Sequence, residues 1–170
     1  SGVAAAEPDD QLAAIFALGE LQEPAAAHLL AQILVAQGQS SRGVQALASL
    51  HKLGALLARP ALRRHRQTRD SSTRREIVLA LAEMQDPVVV QDLIAMLDAE
   101  QDSARLAQLL SSITGVKLLA ENDRRAVMQE WWRRSRDLPQ ASWFLAALQR
   151  AKISTKLEVA QLAPGAGPEA

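Results

Sequence analysis

Three histidines, His28, His51 and His65, are the residues from which metal or acid–base chemistry would first be built. None has a second ligand at metal-site spacing, and no His-Glu-x-x-His run occurs. They read as surface or edge histidines. Glu20 and Glu83 occupy the same place in two similar stretches, and paired carboxylates are tools of general acid–base catalysis. A simpler cause is that a carboxylate recurs because the unit around it recurs, at an exposed face or a turn. The chain has no cysteine, which removes disulfides, thiolate metal sites and cysteine nucleophiles together. Glycine-rich phosphate loops, nucleophile elbows and triad patterns are also missing from the sequence. No catalytic residue, cofactor or metal is expected.

Charge is more informative. Arg59, Arg63, Arg64, Arg66, Arg69, Arg74 and Arg75 are opposed only by Asp70, whereas Glu76 to Asp102 holds seven acidic residues and no lysine or arginine. One reading is a phosphate- or nucleic-acid-binding patch, with Arg63, Arg64 and Arg66 on the phosphates and strongly salt-dependent binding. The other is a solvated loop whose arginines pair with the acidic stretch that follows. Nineteen basic residues balance nineteen acidic ones and no aromatics interleave the arginines, which favours the second. Trp131 and Trp132 lie between Arg124-Arg125 and Arg133-Arg134-Arg136. Neighbours on a helix point about 100° apart, so one indole is expected to plug the core. The other, taken here as Trp132, is left for arginine or for a partner, since Trp and Arg dominate binding hot spots.

The elements that would position these groups are helices. Leu12, Ile15, Phe16, Leu18 and Leu21 fall at helical spacing, and Asp9-Asp10 is expected to cap that first helix. Pro24 suits the first turn of a second helix, carrying Leu29, Leu30, Ile33 and Leu34 and ending near Gly38. Ser40-Ser41 would cap a third, with Val44, Leu47, Leu50 and Leu53, broken by Gly54, after which Leu56, Leu57 and Leu62 continue an apolar pattern interrupted at Pro60. Later helices are predicted over Arg74–Gln85, after Pro87, after Asp102-Ser103 as far as Gly115, from Asn122 or Asp123, and from Pro139, with a short one at Leu157–Leu162. No stretch alternates long enough to be a strand, so the fold is expected to be all-α. At 170 residues, 48% hydrophobic and 22% charged, the chain has ample material for a core. No apolar run approaches the roughly 18 residues of a membrane span.

A motif is written twice. Ala17-Leu18-Gly19-Glu20-Leu21-Gln22-Glu23-Pro24 returns 63 residues later as Ala80-Leu81-Ala82-Glu83-Met84-Gln85-Asp86-Pro87, and Leu30, Ile33 and Leu34 return as Leu93, Met96 and Leu97. This pattern between two apolar helices resembles the short form of HEAT-like repeats, of roughly 30 residues. A second resemblance covers 103–134, where Leu110-Ser111-Ser112-Ile113-Thr114-Gly115, Asp123 and Trp131-Trp132 look like a closing unit of some bacterial HEAT-repeat proteins.

The resemblance implies a right-handed α-solenoid of stacked hairpins, at about 9–37, 40–69, 71–99, 103–135 and 139–162, because a lone hairpin cannot bury both its apolar faces. Residues 1–8 read as a tag scar and linker, and 163–170, with Pro164-Gly165-Ala166-Gly167-Pro168, as a flexible tail or linker. Val3–Pro8 also fits the stretch after a signal-peptide cleavage site, so both a cytoplasmic and an exported location stay open, and the chain is expected to be part of a larger protein. The implied work is non-enzymatic: presenting the second helix of each hairpin to a protein partner through His28, Gln32, Gln91 and Ala95, with Trp132 as a further candidate contact. Nucleic-acid binding through Arg59–Arg75, as in the HEAT-like DNA glycosylases, is the alternative, and a structural spacer a third.

Overall fold

The computed structural model describes residues 8–97, 103–118 and 123–152, and among them every regular element is helical. The chain divides into two compact units, one ending at Asp86 and one beginning at Pro87. The expected segments at 1–7, Leu157–Leu162 and 164–168 lie outside the described residues, as do Asp102 and Asn122.

The first unit holds α1 (Pro8–Glu20), α2 (Pro24–Gln37), α3 (Ser41–Leu53), α4 (Ala55–His65) and α5 (Ser71–Glu83). Its punctuation follows local chemistry. Pro24 opens α2 where its missing N–H costs nothing, and Gly38 closes it with its N–H on the Leu34 carbonyl at 2.8 Å. Ser40 accepts from the Gly43 N–H to start α3, Gly54 at φ 79° separates α3 from α4, and Asp70 accepts from the Thr73 N–H at 2.6 Å to start α5. Thr73, first through its hydroxyl and then its N–H, holds the Asp70 carboxyl below its ordinary value. Asp9 and Asp10 lie within the first turn of α1 rather than ahead of it, still at the positive end of the dipole.

Helix α1 packs on α2 and α3 on α4, while α3 also lies against both α1 and α2, and α2 meets α4, so successive hairpins stack through both of their helices. Close approach is set by small residues. Ala27, Ala31, Ala46, Ala58 and Ala61 are fully buried between Leu30, Leu50, Leu62, Ile77 and Leu81. A Cβ on Gly19 would sit 2.9 Å from the Ser49 Cβ, so α1 reaches α3 only without a side chain there. The Ser49 hydroxyl donates to the Ile15 carbonyl across the same contact. Each fully buried leucine contributes about 2 kcal/mol.

Periodicity marked the core faces but overstated their width. Phe16, Leu21, Val44 and Leu56 are exposed, at the margins of faces whose centres are Ile15, Leu50 and Leu62. Pro60 does not interrupt α4, which runs through it. The carbonyl that loses its partner is that of Leu56, a residue 88% exposed and so within reach of water.

The second unit starts with a 3-10 turn at Pro87–Val89, then α6 (Val90–Met96), α7 (Ser103–Thr114), α8 (Arg124–Ser135) and α9 (Gln140–Arg150). Helix α6 packs on α7 and α8, and α7 on α9. Thr114 fixes the threonine–glycine turn: its hydroxyl donates to the Leu110 carbonyl at 2.6 Å and accepts from the Val116 N–H. Gly115 follows at φ 70°, where a Cβ would stand 2.7 Å from that of Ala147 on α9. On α8 Met128 is buried, while Val127, its neighbour in the same apolar run, is exposed.

The tryptophans differ from expectation. The buried indole is Trp143 of α9, 5% exposed, with its Nε1–H donating to the Ser135 carbonyl at 2.9 Å. Trp131 and Trp132 are both half-buried and both meet Trp143 edge-on, at 5.2 and 5.9 Å between centroids. Their 100° divergence lets them straddle a third ring, so neither is the plug.

Candidate functional site

The repeated carboxylates both have side-chain partners within the first unit. Glu20 of α1 accepts from Lys52, whose ammonium also lies 4.9 Å from the Phe16 ring centroid, and Glu83 of α5 faces His51 Nε2 at 3.1 Å. Both partners sit in the last turn of α3. The Nδ1 of His51 meets the Leu47 carbonyl at 3.1 Å. Among the described residues, no group of three or more His, Asp or Glu side chains is placed to hold a metal ion.

The arginine cluster is not one loop. Arg59, Arg63 and Arg64 belong to α4, Arg66 and Arg69 to the connection, and Arg74 and Arg75 to the start of α5. Arg59 donates to the Met84 carbonyl, which ends α5. Arg63 grips Asp86 with two parallel bonds, Nε to Oδ2 at 2.6 Å and Nη2 to Oδ1 at 2.8 Å, and the Asp86 side chain is wholly buried. Those bonds raise the Arg63 pKa, against the lowering effect of burial. The geometry therefore sets Arg63 on a structural carboxylate rather than toward a phosphate. Arg64 is exposed, and Arg66 is half-buried with an interaction of its own.

Of the residues expected to face a partner, the structure gathers Gln91, Ala95 and Trp132 at one place in the second unit. Exposed Gln91 and Ala95 on α6, with Ile94, form one wall of a groove of about 320 Å³; Arg125, Gln129, Trp132 and Arg133 of α8, with Arg136 beyond it, form the other. The α8 residues recur at intervals of three and four, which places them on one stripe of the helix. In the first unit, exposed Gln32 lines a separate apolar groove of about 530 Å³ with Ala14, Leu18, Leu29 and Ile33. His28, one turn before Gln32, is half-buried and outside that lining.

Sequence reasoning missed Arg125, Arg133, Arg136 and Gln129 as groove residues. The signal was present: 124–136 contains five arginines against one glutamate in a chain of zero net charge. Glu130 is shared, receiving Arg133 Nη2 at 2.7 Å and Arg134 as well, and the Arg133 hydrogen bond is the main cause holding its carboxyl below the ordinary value. Arg136 lies 3.6 Å from Asp137.

Residues 10–35 and 73–99 each match the family model of the PBS lyase HEAT-like repeat. No curated protein and no solved structure matches the chain. The two matched segments open on the α1–α2 hairpin and on α5, and each contains the same turn: Gln22 at φ 51° and Gln85 at φ 61°, one residue before the acid and two before the proline. No helix among the described residues is long and apolar enough to cross a membrane.

Proposed function

From a chain that carries two HEAT-like repeats, we propose a non-catalytic scaffold that binds a protein partner through its second-helix faces, with right-handed stacking of the hairpins. The observation that carries this reading is the meeting of Gln91, Ala95 and Trp132 in one open groove. A half-buried indole beside exposed small and amide side chains offers apolar area and adaptable hydrogen bonding at little entropic cost. In the first unit, exposed Gln32 and half-buried His28, one turn apart on α2, offer a second and separate contact face. Packing and ion pairs account for the repeated glutamates and for Arg63, which supports a scaffold over an enzyme.

A photo-activatable residue at Ala95, with Gln108 on the exposed face of α7 as control, tests the reading in the source cell. A discrete protein adduct at 95 that is absent at 108, and lost with Trp132→Ala, is expected. Equal labelling at both positions would sink it.

A further inference from the structure

The groove between α6 and α8 has a definite charge, and it specifies its occupant more narrowly than a scaffold role does. We infer that it binds an acidic peptide segment, an apolar side chain flanked by carboxylates, with the carboxylates taken by Arg133 and Arg136. The inference rests on the reading of this groove as a docking surface. Arg133 and Arg136 are one turn apart, and both line the groove with side chains 71% and 60% exposed. Their existing partners leave positive charge over. Arg133 holds Glu130 through Nε and Nη2 and Arg134 shares that carboxylate, so two guanidiniums stand against one negative charge, and Asp137, beside Arg136, is 89% exposed and only at 3.6 Å. A carboxylate arriving from outside meets two guanidiniums beside an indole and an apolar wall, and charge-assisted hydrogen bonds to them fix its place. The Ile94, Ala95 and Trp132 surface takes the apolar side chain, and the Gln91 and Gln129 amides suit the peptide backbone between.

A nucleic acid fits less well. Its phosphates need a continuous basic track, whereas here Glu130 and Asp137 stand beside the arginines and the groove encloses about 320 Å³, room for one or two side chains. The chain as a whole is neutral.

The test uses the full chain and its tryptophan fluorescence. The probe is a synthetic twelve-residue peptide of Glu and Asp around a central Leu-Phe; the controls are its Gln/Asn counterpart and a thymidine 20-mer. The acidic peptide is expected to bind at least about tenfold more tightly than its amide counterpart, the scale of one charge-assisted bond. Binding should weaken as salt rises. Arg133→Gln with Arg136→Gln should remove that preference while leaving helicity unchanged. Ala95→Phe, which fills the groove without adding charge and keeps every arginine, should abolish binding of both peptides. Equal affinity for the acidic and amide peptides overturns the inference, as does tighter, arginine-dependent binding of the oligonucleotide. Loss of binding sites to self-association, read by sedimentation, would assign the groove to a second copy and also overturn it. An adduct at Ala95 without acidic preference leaves the scaffold reading standing and this one refuted; no adduct and no peptide binding removes both.

Discussion

Arg63→Met asks whether the basic stretch serves the fold or a ligand. The substitution removes both bonds to a carboxylate whose side chain is wholly buried. Breaking a fully buried pair costs about 3–5 kcal/mol, because the remaining charge is left uncompensated. Two features reduce that here: the Arg63 side chain is 49% exposed, so solvent already screens the pair, and Asp86 keeps a further interaction. About 2 kcal/mol is the resulting expectation. With a urea slope of about 2 kcal/mol/M, the midpoint falls by roughly 1 M. Arg64→Met changes an exposed neighbour on the same turn and should stay within about 0.5 kcal/mol of wild type. A double-mutant cycle with Asp86→Leu should return a coupling of about 1–3 kcal/mol, since the apolar replacement no longer needs a cation. If Arg63→Met and Arg64→Met were equally harmless, the structural assignment of Arg63 would fall, and the phosphate reading would regain its main residue.

Leu81→Asp, at a position with no exposure, places a charge among Leu50-type packing and should cost more than about 4 kcal/mol; a soluble variant with unchanged helicity and melting would contradict the packing. Trp143→Ala empties the centre of the indole cluster, and a loss of about 3–5 kcal/mol is expected in denaturation, with collapse of the near-ultraviolet dichroism. Gln22→Gly should stabilise by up to about 1 kcal/mol, because φ 51° strains any L side chain, whereas Gln22→Val should destabilise; the reverse order in melting temperature would deny the turn geometry. The pH dependence follows from Glu130. Its folded value lies below the ordinary 4.5, so its contribution is complete above that value and is lost as pH falls through the folded one. Glu130→Gln should flatten the acid limb of a stability–pH profile, and an unchanged limb would show that the arginines do not hold it.

What was legible in the sequence was local. Pro24, Gly38, Ser40, Gly54, Asp70 and Gly115 each act within a few residues, through a missing donor, a positive φ or a capping oxygen, and each stands at a helix boundary. The centres of the buried faces were legible for the same reason, since period alone locates Ile15, Leu50 or Leu81. Face width was not, because it depends on how far the neighbouring helix reaches; hence the exposure of Phe16, Val44 and Val127. The groove depended on α6 lying against α8, a contact that no spacing within either helix encodes. Gln91 and Ala95 were reached by repeat register, but Arg133 and Arg136 lie outside both copies of the motif.

The two copies also show how a repeat conserves position while exchanging partners. Glu20 and Glu83 come from helices on either side of α3 and end on consecutive residues of its last turn, Lys52 and His51. Because consecutive residues diverge by about 100°, one helix end is held from two directions by the same residue of two repeats. The acid before the proline behaves differently. Asp86 is buried and holds Arg63 of α4, while Glu23 is exposed. The difference lies in the neighbour, not in the motif: Asp86 follows a helix that supplies an arginine 23 residues earlier. Identical chemistry at the repeat position thus becomes a buried clamp only where a preceding helix is packed against it, so a recurring carboxylate marks the unit's register before it marks any activity.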